Sequence, residues 1–198
     1  MTTRRQFIEG AIAAGIAVVA VPRAATALGL HAEGAYLPLQ RIVFDEGFAD
    51  ARLFAEEARR RSVRTSAIDD SIHDLWYHDL YYHWREGKAP IAGITDHRAL
   101  FLLEMMAADA GMRVVHRIHH HESNGIYAHR IFGPLARRDE VLIRLSEARA
   151  DWARRAADIV MSWPNAPTPV ASGHSDILSA RLQALDARTL ISWVIRSA

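Results

Sequence analysis

Of the chain's eleven histidines, His116, His119, His120 and His121 stand in one short run, and His129 follows just beyond Asn124-Gly125. An Asn-Gly pair between alternating segments is the strongest short-range signal for a β-hairpin. With those two residues at the turn, Ser123 faces Ile126, Glu122 faces Tyr127 and His120 faces His129. Facing side chains on one sheet surface have Cβ atoms about 4.5–5.5 Å apart. Glu122 lies on the same surface as His120, roughly 7 Å along the strand. His120, His129 and Glu122 are therefore candidate ligands of a two-histidine, one-carboxylate site suited to Zn, Fe or Mn. His119 and His121 share the opposite face with Arg117. The same residues also describe a hairpin tip with solvated histidines, because a chelating set needs an ordered outer shell as well.

A second set of polar residues recurs where strands are expected to end. These are Asp45-Glu46, Asp69-Asp70, Thr95-Asp96-His97, and the run from His119 to Glu122. In open parallel sheets, ligands sit at the carboxyl ends of the strands. Asp45, Asp69, Asp70, Thr95, Asp96 and His97 are thus candidate ligand-binding residues, and Asp45, Glu46, Asp96 and His97 candidate catalytic ones. Helix N-capping is the plainer use of Asp, Ser and Thr at such positions. Glu104 is a further catalytic candidate, since a carboxylate in an apolar helix has a raised pKa if buried. Gly93-Ile94-Thr95-Asp96 opens a helix and offers N–H groups to an anion, though one glycine is a weak signal. His73, His78 and His83 are five apart, which turns each about 140° from the last on a helix. They do not share a metal-binding face, and Asp74–His78 and Asp79–His83 are expected to pair on the helix surface.

The elements that must hold these residues follow from periodicity. Arg41–Asp45 reads as a first strand, Ala49–Arg61 as a helix with Ala51, Phe54 and Ala58 inward, and Ser62–Ile68 as a second strand. Ser71–Glu86 is an aromatic-rich helix whose Trp76, Tyr77, Tyr81, Tyr82 and Trp84 are expected in the core, with an aromatic wall for a flat ligand as the other reading. Pro90–Thr95 is a third strand, Asp96–Ala110 a nearly all-apolar helix closed by Gly111, and Met112–Glu122 a fourth strand. Tyr127–Phe132 returns antiparallel. Arg138–Trp163 reads as one long amphipathic helix, and Asp176–Leu185 and Ala187–Ile195 as short covering helices. This order predicts an α/β fold: an open, mostly parallel sheet in the flavodoxin-like order 2-1-3-4-5, with an antiparallel edge hairpin and a helical C-terminal segment. The expected division is an export signal over 1–27 and one domain over 28–198, with its sheet core in 41–135 and a helical cover in 136–198.

Composition narrows the function classes. The chain has 198 residues, half of them hydrophobic, and a net charge of +1. That charge argues against a nucleic-acid partner, whose footprint is a basic excess. All basic residues except Lys88 are arginine. There is no cysteine, so neither an iron–sulfur cluster nor a thiolate metal site can form, and any metal is held by His, Asp, Glu or backbone oxygen.

The start of the chain, Thr2-Thr3-Arg4-Arg5-Gln6-Phe7-Ile8, resembles a twin-arginine export signal. The apolar run Ala11–Val21 follows, shorter than the roughly 20 residues a membrane span needs, and then the small-residue pattern Ala25-Thr26-Ala27. Glu9 departs from that signal, which more often has lysine there. The resemblance implies a partner in the twin-arginine export machinery, a periplasmic or otherwise exported location, and no stable membrane span after cleavage. The acidic pair Asp45-Glu46 is similar to that of response-regulator receiver domains, but the phospho-acceptor aspartate and later lysine of that family are missing. Nothing of it is carried over.

The first functional reading is an exported α/β domain binding a small polar ligand or divalent metal at the carboxyl edge of its sheet, as an accessory to another exported enzyme. The alternatives are a metal-dependent hydrolase using the hairpin histidines with nearby carboxylates, and a structural or interaction protein built on the long C-terminal helix.

Overall fold

The structure, a computed structural model, describes residues 36–69, 71–123, 125–132, 138–164 and 189–197. The export-signal segment, Asp70, Asn124 and the helix expected over Asp176–Leu185 lie outside the described residues.

Six strands form one sheet: β1 (Arg41–Asp45), β2 (Thr65–Ile68), β3 (Ile91–Thr95), β4 (Met112–Ser123), β5 (Ile126–Phe132) and β6 (Thr189–Ser197). Their order is β2-β1-β3-β6-β4-β5. β1 pairs in parallel with β2 and β3, whereas β3–β6, β6–β4 and β4–β5 are antiparallel. The fold is thus mixed α/β, and the expectation of a mostly parallel sheet is corrected. The relative order of the first five strands is as expected. The difference is β6, which inserts between β3 and β4 and separates two strands that run in the same direction.

The same strand corrects the C-terminal reading, because the helix expected over Ala187–Ile195 is β6 and the sheet core extends beyond residue 135. Leu190, Ile191, Trp193, Val194 and Ile195 are all buried, on alternating sides of the sheet. A strand covered on both faces is a continuous apolar run, and periodicity cannot tell such a run from a buried helix.

Helices lie on both faces. On one, α1 (Ala49–Arg60) carries Ala51, Phe54, Ala55 and Ala58 inward, three or four apart as an amphipathic helix requires. It packs against α6 (Trp152–Met161), whose Ala153, Ala156 and Ala157 are likewise buried, so small side chains let the two helices approach closely. Arg154–Glu56 at 3.0 Å and the Arg61–Asp158 ion pair tie their outer edges. α5 (Arg138–Ala148) precedes α6. The single helix expected over Arg138–Trp163 is interrupted by a 3-10 turn at Arg149–Asp151, where Arg149 has φ +46°. The break redirects the chain, and Trp152 enters the core.

On the other face, α2 (His73–Leu75), a π-helical turn (Trp76–Leu80) and α3 (Tyr81–Glu86) form one aromatic-rich segment. Ile72, Leu80 and Trp84 are buried at spacings divisible by four. That repeat drifts round a 3.6-residue helix, and the wider π turn absorbs the drift. Trp84 is core and Trp76 meets it edge-on at 6.0 Å, but Tyr77 and Tyr82 are 58% and 57% exposed. The aromatics are therefore only partly core. The helix α4 (His97–Asp109) completes this layer. Among the described residues no helix is long and apolar enough to cross a membrane.

β4 contains the detail that positions the site. Val114 pairs with Ile195 but His116 pairs with Val194, so Val115 is an extra residue, a β-bulge. Before it, Met112 and Val114 face the α4 layer; after it, His116, Ile118 and His120 face α1 and α6. One inserted residue exchanges the two faces of the strand.

Gly93 sets another constraint. It pairs with Trp193, and a Cβ there meets the Val43 carbonyl oxygen at 2.2 Å and the Trp193 ring at 2.6 Å. Its role is steric rather than anion-binding. Gly93→Ala is expected to destabilise the fold by about 3 kcal/mol, the upper range for overpacking a core, measured as a lowered urea midpoint. An unchanged midpoint contradicts the packing of Trp193 over β3.

Candidate functional site

The hairpin register is as the sequence implies: His120 opposite His129, Glu122 opposite Tyr127, Ser123 opposite Ile126. Gly125 supplies the positive φ, +75°, that the turn requires. The two facing imidazoles meet, Nδ1 to Nδ1, at 2.9 Å. The Nε2 of His120 lies 2.9 Å from the hydroxyl of Ser192 on β6. Trp152 stacks on the His120 ring, centroids 4.3 Å apart at 25°. With both rings neutral, this chain closes in two ways. Either His120 donates from Nδ1 to His129 and accepts from Ser192, or His129 donates to His120, which donates from Nε2 to Ser192. Ser192 is fully buried and does not line the cavity described below, so the pair is a core hydrogen bond, not an exposed nucleophile and base.

The structure brings two of the three expected metal ligands together. The third, Glu122, turns to the hairpin, where its Oε1 accepts from the Gly125 amide at 3.1 Å. Among the described residues, no group of three or more His, Asp or Glu side chains is placed to hold a metal ion. Glu122 serves a different grouping. A cavity of about 320 Å³ opens between the β1–α1 turn and the end of β4, lined by Gly47, Phe48, Asp50, Glu122, Trp152 and Leu190 with Ala49 and His120. It lies at the carboxyl end of β1 and β4, over the first turn of α1. Phe48, the residue before that helix, gives it no side-chain cap. Burial raises the Asp50 carboxyl above its ordinary pKa, and the Glu122 charge raises it further.

The remaining candidates at the strand ends do structural work. Asp45 accepts from the Gly47 amide at 3.0 Å, which shapes the turn into α1 and hence one cavity wall. Glu46 is exposed and its carbonyl accepts from Arg52. Asp69 is exposed and accepts from the Ser71 amide at 3.1 Å. Thr95 is buried, accepting from the Trp193 indole at 3.1 Å and donating to the Asp96 carbonyl. Asp96 caps α4 through the Ala99 amide at 2.8 Å, and His97 is exposed on its first turn. Glu104 is no isolated buried acid, since it forms an ion pair with Arg117. On the aromatic segment, His83 lies 2.9 Å from Asp79 and His78 4.0 Å from Asp74, the spacing-based pairs. Asp79 also meets the buried Arg41 at 2.5 Å, a partner on β1 that helix spacing could not reveal.

Sequence reasoning missed Asp50, Trp152 and Leu190. Asp50 sits one turn beyond the strand-end acids it was grouped apart from. Trp152 has the spacing of an ordinary core residue, and Leu190 falls in a segment read as helix. The position of Asp50, at the second residue of a helix following β1, was the one usable signal.

The histidines of β4 and β5 are pushed towards the neutral form. Burial pushes His116 down to about 3; both its nitrogens are buried without a partner while its ring lies 3.8 Å from that of Trp163. Burial lowers His120 well below the ordinary value, with His129 adding to it, and lowers His129 to about 4. On the other face, His119 falls to about 4 through burial and then the nearby Arg117 charge, and His121 is lowered by burial and Arg130. Compared with known proteins, the chain matches no family model, no curated protein and no solved structure.

A group whose folded pKa is depressed contributes stability that is present above its unfolded pKa and lost as pH falls. For these imidazoles the loss begins near 6.5 and continues down to about 4 for His119 and His129 and about 3 for His116. Urea midpoints are expected to be level above that window and to fall steadily through it. Leaving a buried polar group unpaired costs about 1–3 kcal/mol, so His116→Phe is expected to stabilise the fold by about 1 kcal/mol at neutral pH and to flatten the acid limb. A pH profile identical to that of the parent contradicts a buried neutral His116.

Proposed function

We propose that the chain is an exported α/β domain that binds a small polar molecule in the cavity between the β1–α1 turn and the end of β4. The observation carrying this reading is the cavity's composition. Two carboxylates, Asp50 and Glu122, share it with the apolar and aromatic surfaces of Phe48, Trp152 and Leu190. Ligand sites have this general character: concave, largely apolar, with a few converging polar groups. The location also favours it, since the carboxyl edge of a sheet is where helix N-termini and strand-end loops converge.

In this reading the domain is exported by the twin-arginine route and serves another exported enzyme by presenting or sequestering the small molecule. The support for export is the order of Arg4-Arg5, the apolar run and the Ala25-Thr26-Ala27 pattern. His120, which lines the cavity, is held behind it by its hydrogen bonds to His129 and Ser192. A catalytic reading has weaker support, because Ser192 is enclosed and Asp45, Asp69 and Asp96 are engaged in turns and a helix cap.

Two experiments test this. Ala49 lines the cavity from its exposed rim. Ala49→Trp is expected to abolish thermal stabilisation by any small molecule that stabilises the parent, with little change in the melting temperature of the free protein. Stabilisation that survives the substitution places the ligand elsewhere. Changing Arg4 and Arg5 to lysine is expected to stop export of the chain, followed by immunoblot of cell fractions; unchanged export rejects the twin-arginine assignment.

A further inference from the structure

We infer that the cavity's ligand is a small organic amine, with its ammonium between Asp50 and Glu122 and its apolar body against Phe48, Trp152 and Leu190. The inference rests on the ligand-binding reading above and names the chemical class of the ligand.

Three observations lead to it. First, the two carboxylates face one cavity, and among the described residues neither is paired with a cationic side chain. Glu122 spends one oxygen on the Gly125 amide, and Asp50 stands in the first turn of α1. The nearest imidazole in the wall, His120, has both nitrogens engaged and is held neutral. A cation entering the cavity therefore meets two carboxylates with no competing side-chain cation among the described residues. Second, the rest of the wall is unsuited to a bare ion. A divalent cation needs several oxygen or nitrogen ligands, and among the described residues no third His, Asp or Glu joins these two in a metal-binding group. Phe48, with the narrow exposed edges of Trp152 and Leu190, offers apolar surface that a hydrated ion leaves unused but an organic body covers, at roughly 25 cal/mol for each Å² removed from water. Third, Glu122 is exposed and Asp50 half-buried, so a ligand entering from solvent reaches both carboxylates.

Other ligand classes fit less well. An anion meets two carboxylates. A neutral molecule leaves both unpaired in a partly enclosed space, where desolvating charge is costly. The upward push on Asp50 from burial and from Glu122 describes the same frustration, which an ammonium placed between them relieves.

The test uses three probes with one body: 2-phenoxyethylamine, 2-phenoxyethanol and phenoxyacetate, titrated into the ¹⁵N-labelled full chain at neutral pH. The expected result is that the amine shifts the backbone amides of Gly47, Ala49, Asp50 and Leu190 and binds at least about tenfold more tightly than the alcohol or the acid. Asp50→Asn and Glu122→Gln, each isosteric, are expected to weaken the amine about tenfold and leave the alcohol unchanged. Their own amide spectra show whether the variants are folded, and a double variant extends the series. If the alcohol or the acid binds at these amides as tightly as the amine, the amine assignment is overturned while ligand binding in the cavity stands. If none of the three perturbs these amides, both fall.

Discussion

The arrangement depends on how β4 pairs with β6. β6 enters the sheet between β3 and β4 and pairs antiparallel with both, so it is covered on both faces and contributes to both cores. β4 accepts this partner only with one extra residue, Val115, out of register. Because side chains alternate strictly along a strand, that residue decides which half of β4 faces which layer. With Val115 paired in regular alternation instead of bulged, His116, Ile118 and His120 point towards α4. His119 and His121 then meet the α1 and α6 layer in their place, and His120 loses both the Ser192 hydroxyl and the Trp152 face. The hairpin inherits the same choice: His129 meets His120 because β5 follows the register of β4 after the bulge.

This placement has an electrostatic consequence. Imidazoles buried among Trp152, Trp163 and the core of α1 and α6 have little water to stabilise a charge, so the neutral forms dominate. On this face the histidines act as amphoteric hydrogen-bonding groups in an apolar setting, not as cations. His120 satisfies both nitrogens, and a fully satisfied buried network fixes ring orientation. His116 satisfies neither and is held by its contact with Trp163. One histidine is thus positioned by polar contacts and the other by shape.

The local features were legible in the sequence where local rules govern them. The Asn124-Gly125 pair announced the hairpin, and its register followed residue by residue. The inward face of α1 and the Asp79–His83 pair follow from helical spacing alone. What escaped were decisions made by distant partners. The run Thr189–Ser197 is apolar on both sides because it lies mid-sheet, and that pattern does not distinguish strand from helix. The bulge at Val115 carries no glycine to mark it. Arg149 takes a left-handed conformation with no residue type to announce it, and so the break before Trp152 looked like uninterrupted helix. Of the strand-end acids, Asp45, Asp69 and Asp96 are taken up by turns and a helix cap and Glu46 stays exposed, while the acid that lines the cavity, Asp50, lies in the helix beyond.

The cavity and the histidine network are best understood as one electrostatic unit. Asp50 and Glu122 lie above an imidazole that would ordinarily be their counter-ion. Were His120 protonated, it would neutralise the pair from below and leave no reason for a cation to enter. Burial under Trp152 keeps that ring uncharged, and Ser192 and His129 occupy the lone pair and the N–H through which it could otherwise turn to the carboxylates. The negative potential of the cavity is therefore maintained by what the core does to His120. In the proposed reading, its preference for a cation depends on the same bulge that turned the histidine inward.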